Sequence, residues 1–176
     1  MENQNASVKN IAFTYGLLLA LFSITISVVA YVTGNHLDKN LWVSIISFLV
    51  TTALIIFGIK KFKVANDGFL SLGEALKVGL AIAVISGIIV AVYNYIFMTA
   101  IEPDFINQLM EVSREEMIKQ NPNMTEKEME MALNISKKFM SPGIMSAFAI
   151  LGSLFTGFII SLIGGLIMKQ NRPQFQ

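Results

Sequence analysis

Cysteine is absent from this chain, which excludes disulfides, thiolate metal sites and a C-terminal prenylation signal. Histidine occurs once. Charge is scarce: 14% of residues are charged, against roughly 25% in a typical soluble domain. The charges are also kept apart. No Asp, Glu, His, Lys or Arg stands in the middle of any of four long apolar runs. The mid-membrane ionisable group of a proton-coupled or charged-substrate carrier is therefore missing. No pair of Pro- or Gly-broken half-helices marks a substrate site, and the residues of an intramembrane protease or metalloenzyme are lacking. A net charge of +1 supplies no basic field for nucleic acid, so no nucleic-acid partner is expected. No cofactor is implied, and the ten methionines are too dispersed for a thioether copper site.

What is present is hydrophobic. Apolar residues make up 54% of the chain, and the mean hydropathy is +0.62. The runs cover 11–33, 41–59, 75–100 and 144–168. A bilayer span needs about 20 mainly apolar residues. The second run is the shortest, but it carries no charge and is flanked by Lys39 and Lys60. A soluble bundle is disfavoured because four such helices leave too little polar face to cover them. The first run exceeds a signal-peptide core. Although Val28-Val29-Ala30 loosely fits a cleavage site, an uncleaved span is preferred. The expected fold is all-α, a single membrane domain over 1–176 with four transmembrane helices in the lipid bilayer. An extracytoplasmic helical hairpin, 101–141, joins spans three and four.

Charge sets the expected topology. Lys9, Lys60, Lys61, Lys63, Lys77, Lys169 and Arg172 fall on one side of the four spans. Basic residues beside short loops mark the cytoplasmic face. Both termini are then cytoplasmic in an inner (cytoplasmic) membrane, and 101–141 faces outward.

Two stripes of small residues carry the most specific information. Ala75, Gly79, Ala83, Gly87 and Ala91 recur at every fourth position of span three, and Ala149, Ser153, Gly157, Ser161 and Gly165 do so in span four. Small residues at this spacing share one helix face and let a second backbone approach closely. The spacing leaves open whether the partner helix is in the same chain or another copy.

The connections carry further signals. Residues 34–40 form a tight antiparallel link holding His36, which reads as solvated. Tyr31 and Trp42 suit the headgroup level. Asn66-Asp67-Gly68 reads as a turn. Ser71 and Glu74 have capping-box spacing, as do Thr125 and Glu128, and Lys77 lies within pairing reach of Glu74. Asn94 is the most polar side chain within a span. The insert reads as two amphipathic helices. The first starts at Pro103 or Asp104 and buries Phe105, Leu109, Val112 and Met117. The second lines Met129, Ala132, Leu133, Ser136, Phe139 and Met140 on one face. Ser141 caps span four, with Pro142 at its first helical position. Residues 1–10 are polar and expected to fray.

Ser71, Gly73, Glu74, Ala75, Lys77 and Gly79 open span three. Ile101, Pro103 and Asp104 follow it, and Lys137, Lys138, Phe139, Met140, Ser141, Pro142 and Gly143 precede span four. In this order and spacing the chain resembles the domain-of-unknown-function 4199 family of small multi-span membrane proteins, found mainly in Bacteroidota. The resemblance covers most of the chain. It implies an inner-membrane protein and brings no catalytic residues.

The functional expectation is accordingly a non-enzymatic inner-membrane protein that acts through helix packing. Its outer segment would meet a homo-oligomer copy or an unidentified membrane or periplasmic protein. The alternative is a small oligomeric transporter or pore walled by Thr51, Thr52, Asn94 and the serines. The third possibility is a membrane enzyme, which would require Glu102 or Glu111 to converge with Tyr93 and His36.

Overall fold

A computed structural model describes residues 7–172. Four long helices, α1 (Val8–Val32), α2 (Leu41–Ala65), α3 (Leu72–Ile96) and α6 (Pro142–Met168), form an antiparallel bundle. All four are long and apolar enough to cross a membrane. A π-helical turn, Phe97–Ile101, prolongs α3, and α4 (Phe105–Gln120) and α5 (Glu126–Phe139) form a hairpin before α6. Among the described residues there is no named strand; one isolated bridge pairs Leu70 with Gln170.

Local chemistry explains the helix ends. Helix α1 starts at Val8 because the Ser7 hydroxyl accepts from the Asn10 amide. The expected fraying thus fails for residues 8–10, while residues 1–6 lie outside the described part. Helix α2 runs past Ile59 through Lys60, Lys61 and Lys63 to Ala65. Those lysines end the apolar run but not the helix, since lysine is a good helix former whose ammonium can reach the interface. The turn that follows places Asp67 and Gly68 at positive φ, 56° and 84°. Span three begins at Leu72 behind a complete Ser71/Glu74 capping box. That box occupies Glu74 Oε2, which accepts from the Ser71 amide at 2.7 Å and hydroxyl at 2.8 Å, while Oε1 accepts from the Asn66 amide at 3.4 Å. The expected Glu74–Lys77 pair is not formed.

The Thr125/Glu128 box is complete too. Ser141 departs from expectation: it takes the N-cap position, but its side chain makes no capping bond. Its carbonyl accepts from the Met145 amide at 2.9 Å. Pro142 at the first helical position presets φ without a side-chain cap.

The two small-residue stripes face each other within the chain. The ideal Cβ of each glycine in the stripes falls against the opposing helix: Gly165 against Ala75, Gly79 against Ser161, Gly157 against Ala83, and Gly87 against Ser153. Each step of four up α3 thus meets a step of four down α6. A Cβ at Gly87 would come within 3.1 Å of Ser153 Cβ, and one at Gly165 within 2.8 Å of Ala75 Cβ. Ser153 Oγ donates across the interface to Ala83 O at 2.8 Å. Ala91 is buried and Ala149 half-buried at the far end. Gly16 of α1 approaches Ile82 and Ile85 on α3, so α3 is covered by both α1 and α6.

The tightest core lies toward the end that carries the 66–71 loop. It holds Leu19, Ile55, Ile59, Val78, Ile82 and Ile160. Lys63 Nζ donates to Met168 O at 2.9 Å, and Leu70 and Gln170 exchange main-chain bonds of 2.8 and 2.9 Å. Arg172 reaches Asn66 Oδ1 at 3.1 Å and stacks over Phe69. The tail thereby clasps the loop between α2 and α3.

Candidate functional site

The opposite end of the bundle is looser, and its polar groups converge there. Every residue from Leu41 to Ile46 is exposed, because the start of α2 stands away from its neighbours. His36, in the α1–α2 link, is not solvated as expected. It is half-buried, with its ring 5.4 Å from Tyr31, 6.4 Å from Phe97 and 6.1 Å from Phe105. Tyr31 and Phe105 also meet Phe97 edge-on, at 5.2 and 5.5 Å. The link is short, so His36 cannot leave the top of the bundle, and α4 folds back over it.

A hydrogen-bonded chain ties these elements together. Tyr31 Oη donates to Glu102 Oε2 at 3.0 Å, and Gln108 Nε2 donates to Glu102 Oε1 at 2.8 Å. Gln108 Oε1 lies 3.3 Å from His36 Nε2. A carboxylate accepts only, so Gln108 must turn its NH₂ toward Glu102 and its oxygen toward the imidazole. His36 Nε2 is therefore the protonated nitrogen. Its Nδ1 is buried with no hydrogen-bond partner. Lys39 Nζ adds a tie to α4, at 2.8 and 2.7 Å from the Glu116 oxygens.

Beneath this cap lies a cavity of about 540 Å³ between α1, the start of α2 and the end of α3. Asn94 lines it, with Ser27 and Ser44. A smaller space of about 200 Å³ sits deeper, among Ser23, Thr51, Ser86, Ser153 and Thr156. Four of those hydroxyls donate to main-chain carbonyls: Ser23 to Leu19 (2.9 Å), Thr51 to Ser47 (2.7 Å), and Ser86 and Ser153 to Ala83 (3.2 and 2.8 Å). Thr52 Oγ1 is buried without a partner.

The chemistry required of an enzyme is brought together only in part. Glu102 and His36 share Gln108 as intermediary, whereas Glu111 is exposed on α4. Tyr93 packs its ring 6.1 Å from Phe97. No cluster of three or more His, Asp or Glu that could hold a metal occurs among the described residues.

On the hairpin, Phe105, Leu109, Val112 and Met117 are only half-buried, and Met129 alone is fully buried. Phe139 departs from the face assigned to it. It is 56% exposed, with Met131 at 52% and Ile135 at 58%. These three recur every four residues, so they form an edge of their own, turned away from the face that packs on α4.

A model for a family described as "Protein of unknown function (DUF4199)" matches residues 14–170. The chain belongs to the DUF4199 family. No curated protein and no solved structure matches it. The DUF4199 match takes in all but the first turns of α1 and the last residues of the tail. It therefore covers the stripes, the hairpin and the His36 cluster alike.

Proposed function

We propose that this DUF4199 protein is a non-enzymatic component of the inner membrane with both termini cytoplasmic. The bundle holds the α4–α5 hairpin on the outer face as a docking surface for another membrane or periplasmic protein. The observation that carries this reading is the division of labour within the hairpin. Glu102 and Gln108 around the start of α4, and Glu116 on it, are tied to α1 and the α1–α2 link, whereas α5 leaves the Met131, Ile135 and Phe139 edge bare. Seven basic residues beside the 66–71 loop and the two chain ends support the orientation. Both Glu102 oxygens are occupied by Tyr31 and Gln108, so Glu102 reaches His36 only through Gln108.

The cysteine-free chain makes the test direct. Single cysteines at Asn123, on the hairpin tip, and Asp67 would be labelled from opposite sides of sealed vesicles. A crosslinker placed at Ile135→Cys in native membranes would capture one discrete protein adduct, lost in Met131→Asp. Labelling of both sites from the same side, or adducts no different from those at Asn123→Cys, would refute the reading. An adduct of twice the chain mass would identify the partner as a second copy.

A second reading, a small transporter or pore, draws on the hydroxyl-lined space among Ser23, Thr51, Ser86, Ser153 and Thr156. Reconstituted vesicles that pass a small neutral solute, and lose that flux in Ser86→Leu, would favour it over the docking reading.

A further inference from the structure

We propose that the bundle holds a water-filled cleft, which opens at the end carrying the hairpin and stops blind near the middle of the membrane. The 540 Å³ and 200 Å³ spaces are its two levels. Three observations lead there. The first is continuity. Three helices line both spaces with residues one turn apart: Ser27 and Ser23 on α1, Asn94 and Val90 on α3, and Met145 and Ala149 on α6. Residues four apart share a helix face, so the same faces run from one level into the other. The splayed start of α2, exposed from Leu41 to Ile46, opens the top. Leu19 and Ile55 close the bottom, where they join the packed core of Ile59, Val78 and Ile82.

The second observation is the sorting of side chains around each helix. On α2, Ser44 and Thr51 line the gap, whereas Ile46, Leu49 and Phe57 are exposed on the far flank. On α1, Ser23 and Ser27 line it, and Leu21 and Val28 are exposed. A gap filled by acyl chains gives no reason to turn the hydroxyls inward.

The third observation is where the protons go. A hydroxyl has one donor and two acceptor lone pairs. In the deeper level Ser23, Thr51, Ser86 and Ser153 each commit the donor to a main-chain carbonyl, so their oxygens remain as acceptors. Ser23, Thr51, Ser153 and Thr156 are half-buried and not sealed off, and polar atoms form part of the wall. Dry cavities are apolar ones, while a polar space with several partners in reach holds water. A volume of 200 Å³ has room for several molecules at about 30 Å³ each. No ionisable side chain lines this level among the described residues, so it offers no counter-charge to an ion.

The cleft goes beyond the docking reading and does not rest on the orientation proposed with it. The full-length, cysteine-free chain in sealed vesicles provides the test. Thiolate is the reactive form of cysteine, and apolar surroundings suppress it. With N-ethylmaleimide, Ser23→Cys and Thr51→Cys should therefore react about tenfold or more faster than Leu49→Cys, at the same depth on the far flank of α2. Ile59→Cys, below the floor, should be as slow as Leu49→Cys. In the upper level, Ser27→Cys should be blocked by a charged, impermeant methanethiosulfonate added from the side that labels Asn123→Cys. Thermal melting checks each variant, and Ser23→Cys, which only exchanges oxygen for sulfur, carries the test if Thr51→Cys does not fold. The proposal is overturned if the folded cleft variants react as slowly as Leu49→Cys, which would mean that acyl chains or packed side chains fill the gap. It is also overturned if Ser27→Cys is blocked only from the side opposite to Asn123→Cys, or if Ile59→Cys reacts as fast as Ser23→Cys. Blocking of Ser27→Cys and Asn123→Cys together from the cytoplasmic side would refute the orientation and support the cleft.

Discussion

Ser161 of α6 occupies the notch left by Gly79 of α3, so that any Cβ at position 79 would overlap its hydroxyl. The Ser161 hydroxyl turns back to bond Gly157 O, in the turn whose glycine admits Ala83. Two neighbouring contacts thus rest on four small residues, Gly79 and Ala83 on α3 and Gly157 and Ser161 on α6, each pair at spacing four.

Glycines in the chain should therefore divide into two classes. Gly79→Leu should destabilise the bundle by about 3 kcal/mol or more, the upper range for overpacking a filled interface. Gly73 and Gly152 have nothing within 4 Å of an added Cβ, so their alanine variants should be neutral or stabilising by about 0.5–1 kcal/mol. Unfolding in mixed detergent micelles would measure both. Equal losses at Gly79 and Gly152 would show that the stripe is not an interface.

The Tyr31–Glu102 bond should appear as a coupling. Tyr31→Phe and Glu102→Gln should each cost about 1–2 kcal/mol, and the double variant less than their sum by about 1 kcal/mol. A strictly additive double-mutant cycle would mean that the hairpin is not fastened through this pair.

Acid should loosen the start of α5. The Thr125 amide, and then its hydroxyl, hold the Glu128 carboxyl below the ordinary glutamate range. A lowered pKa in the folded state means stability that is present above the unfolded value and lost as pH falls through the folded one. Hydrogen-exchange protection of the Met129 amide, which bonds Thr125 O at 3.0 Å, should decline below about pH 4.5. In Glu128→Gln that protection should no longer follow pH through this window. A flat profile in the native chain would contradict the box.

At the clasped end, Asn66→Ala removes an amide bonded to Phe69 O at 3.0 Å and the acceptor of Arg172. The expected result is faster proteolysis between Asn66 and Ser71, with no change in hairpin accessibility. Unchanged cleavage would show that Asn66 is not needed to hold the loop against the tail.

The sequence announces some of this and conceals the rest for physical reasons. Spacing is local, so Gly79, Ala83 and Gly87 reveal a face, and Ser71/Glu74 reveal a helix start, without any knowledge of the fold. Which stripe meets which is a property of the assembled bundle. The environment of His36 is not written in its own stretch of sequence. Its surroundings come from Gln108 and Glu102, far along the chain, and each of those residues alone looks like the solvated side chain of an amphipathic helix. Phe139 escapes the sequence pattern for the opposite reason: it lies at the margin of the α5 face, where periodicity assigns inside and outside poorly.

The π turn at Phe97–Ile101 inserts one residue into the helical ladder, with the Glu102 amide bonding back to Phe97 O at 2.7 Å. An extra residue rotates everything beyond it by about 100° relative to a continuous α-helix. Removing Thr99 alone would leave a longer, more regular helix and an intact α3–α6 seam. It would also swing Glu102 away from Tyr31, uncoupling the hairpin from the bundle by phase alone.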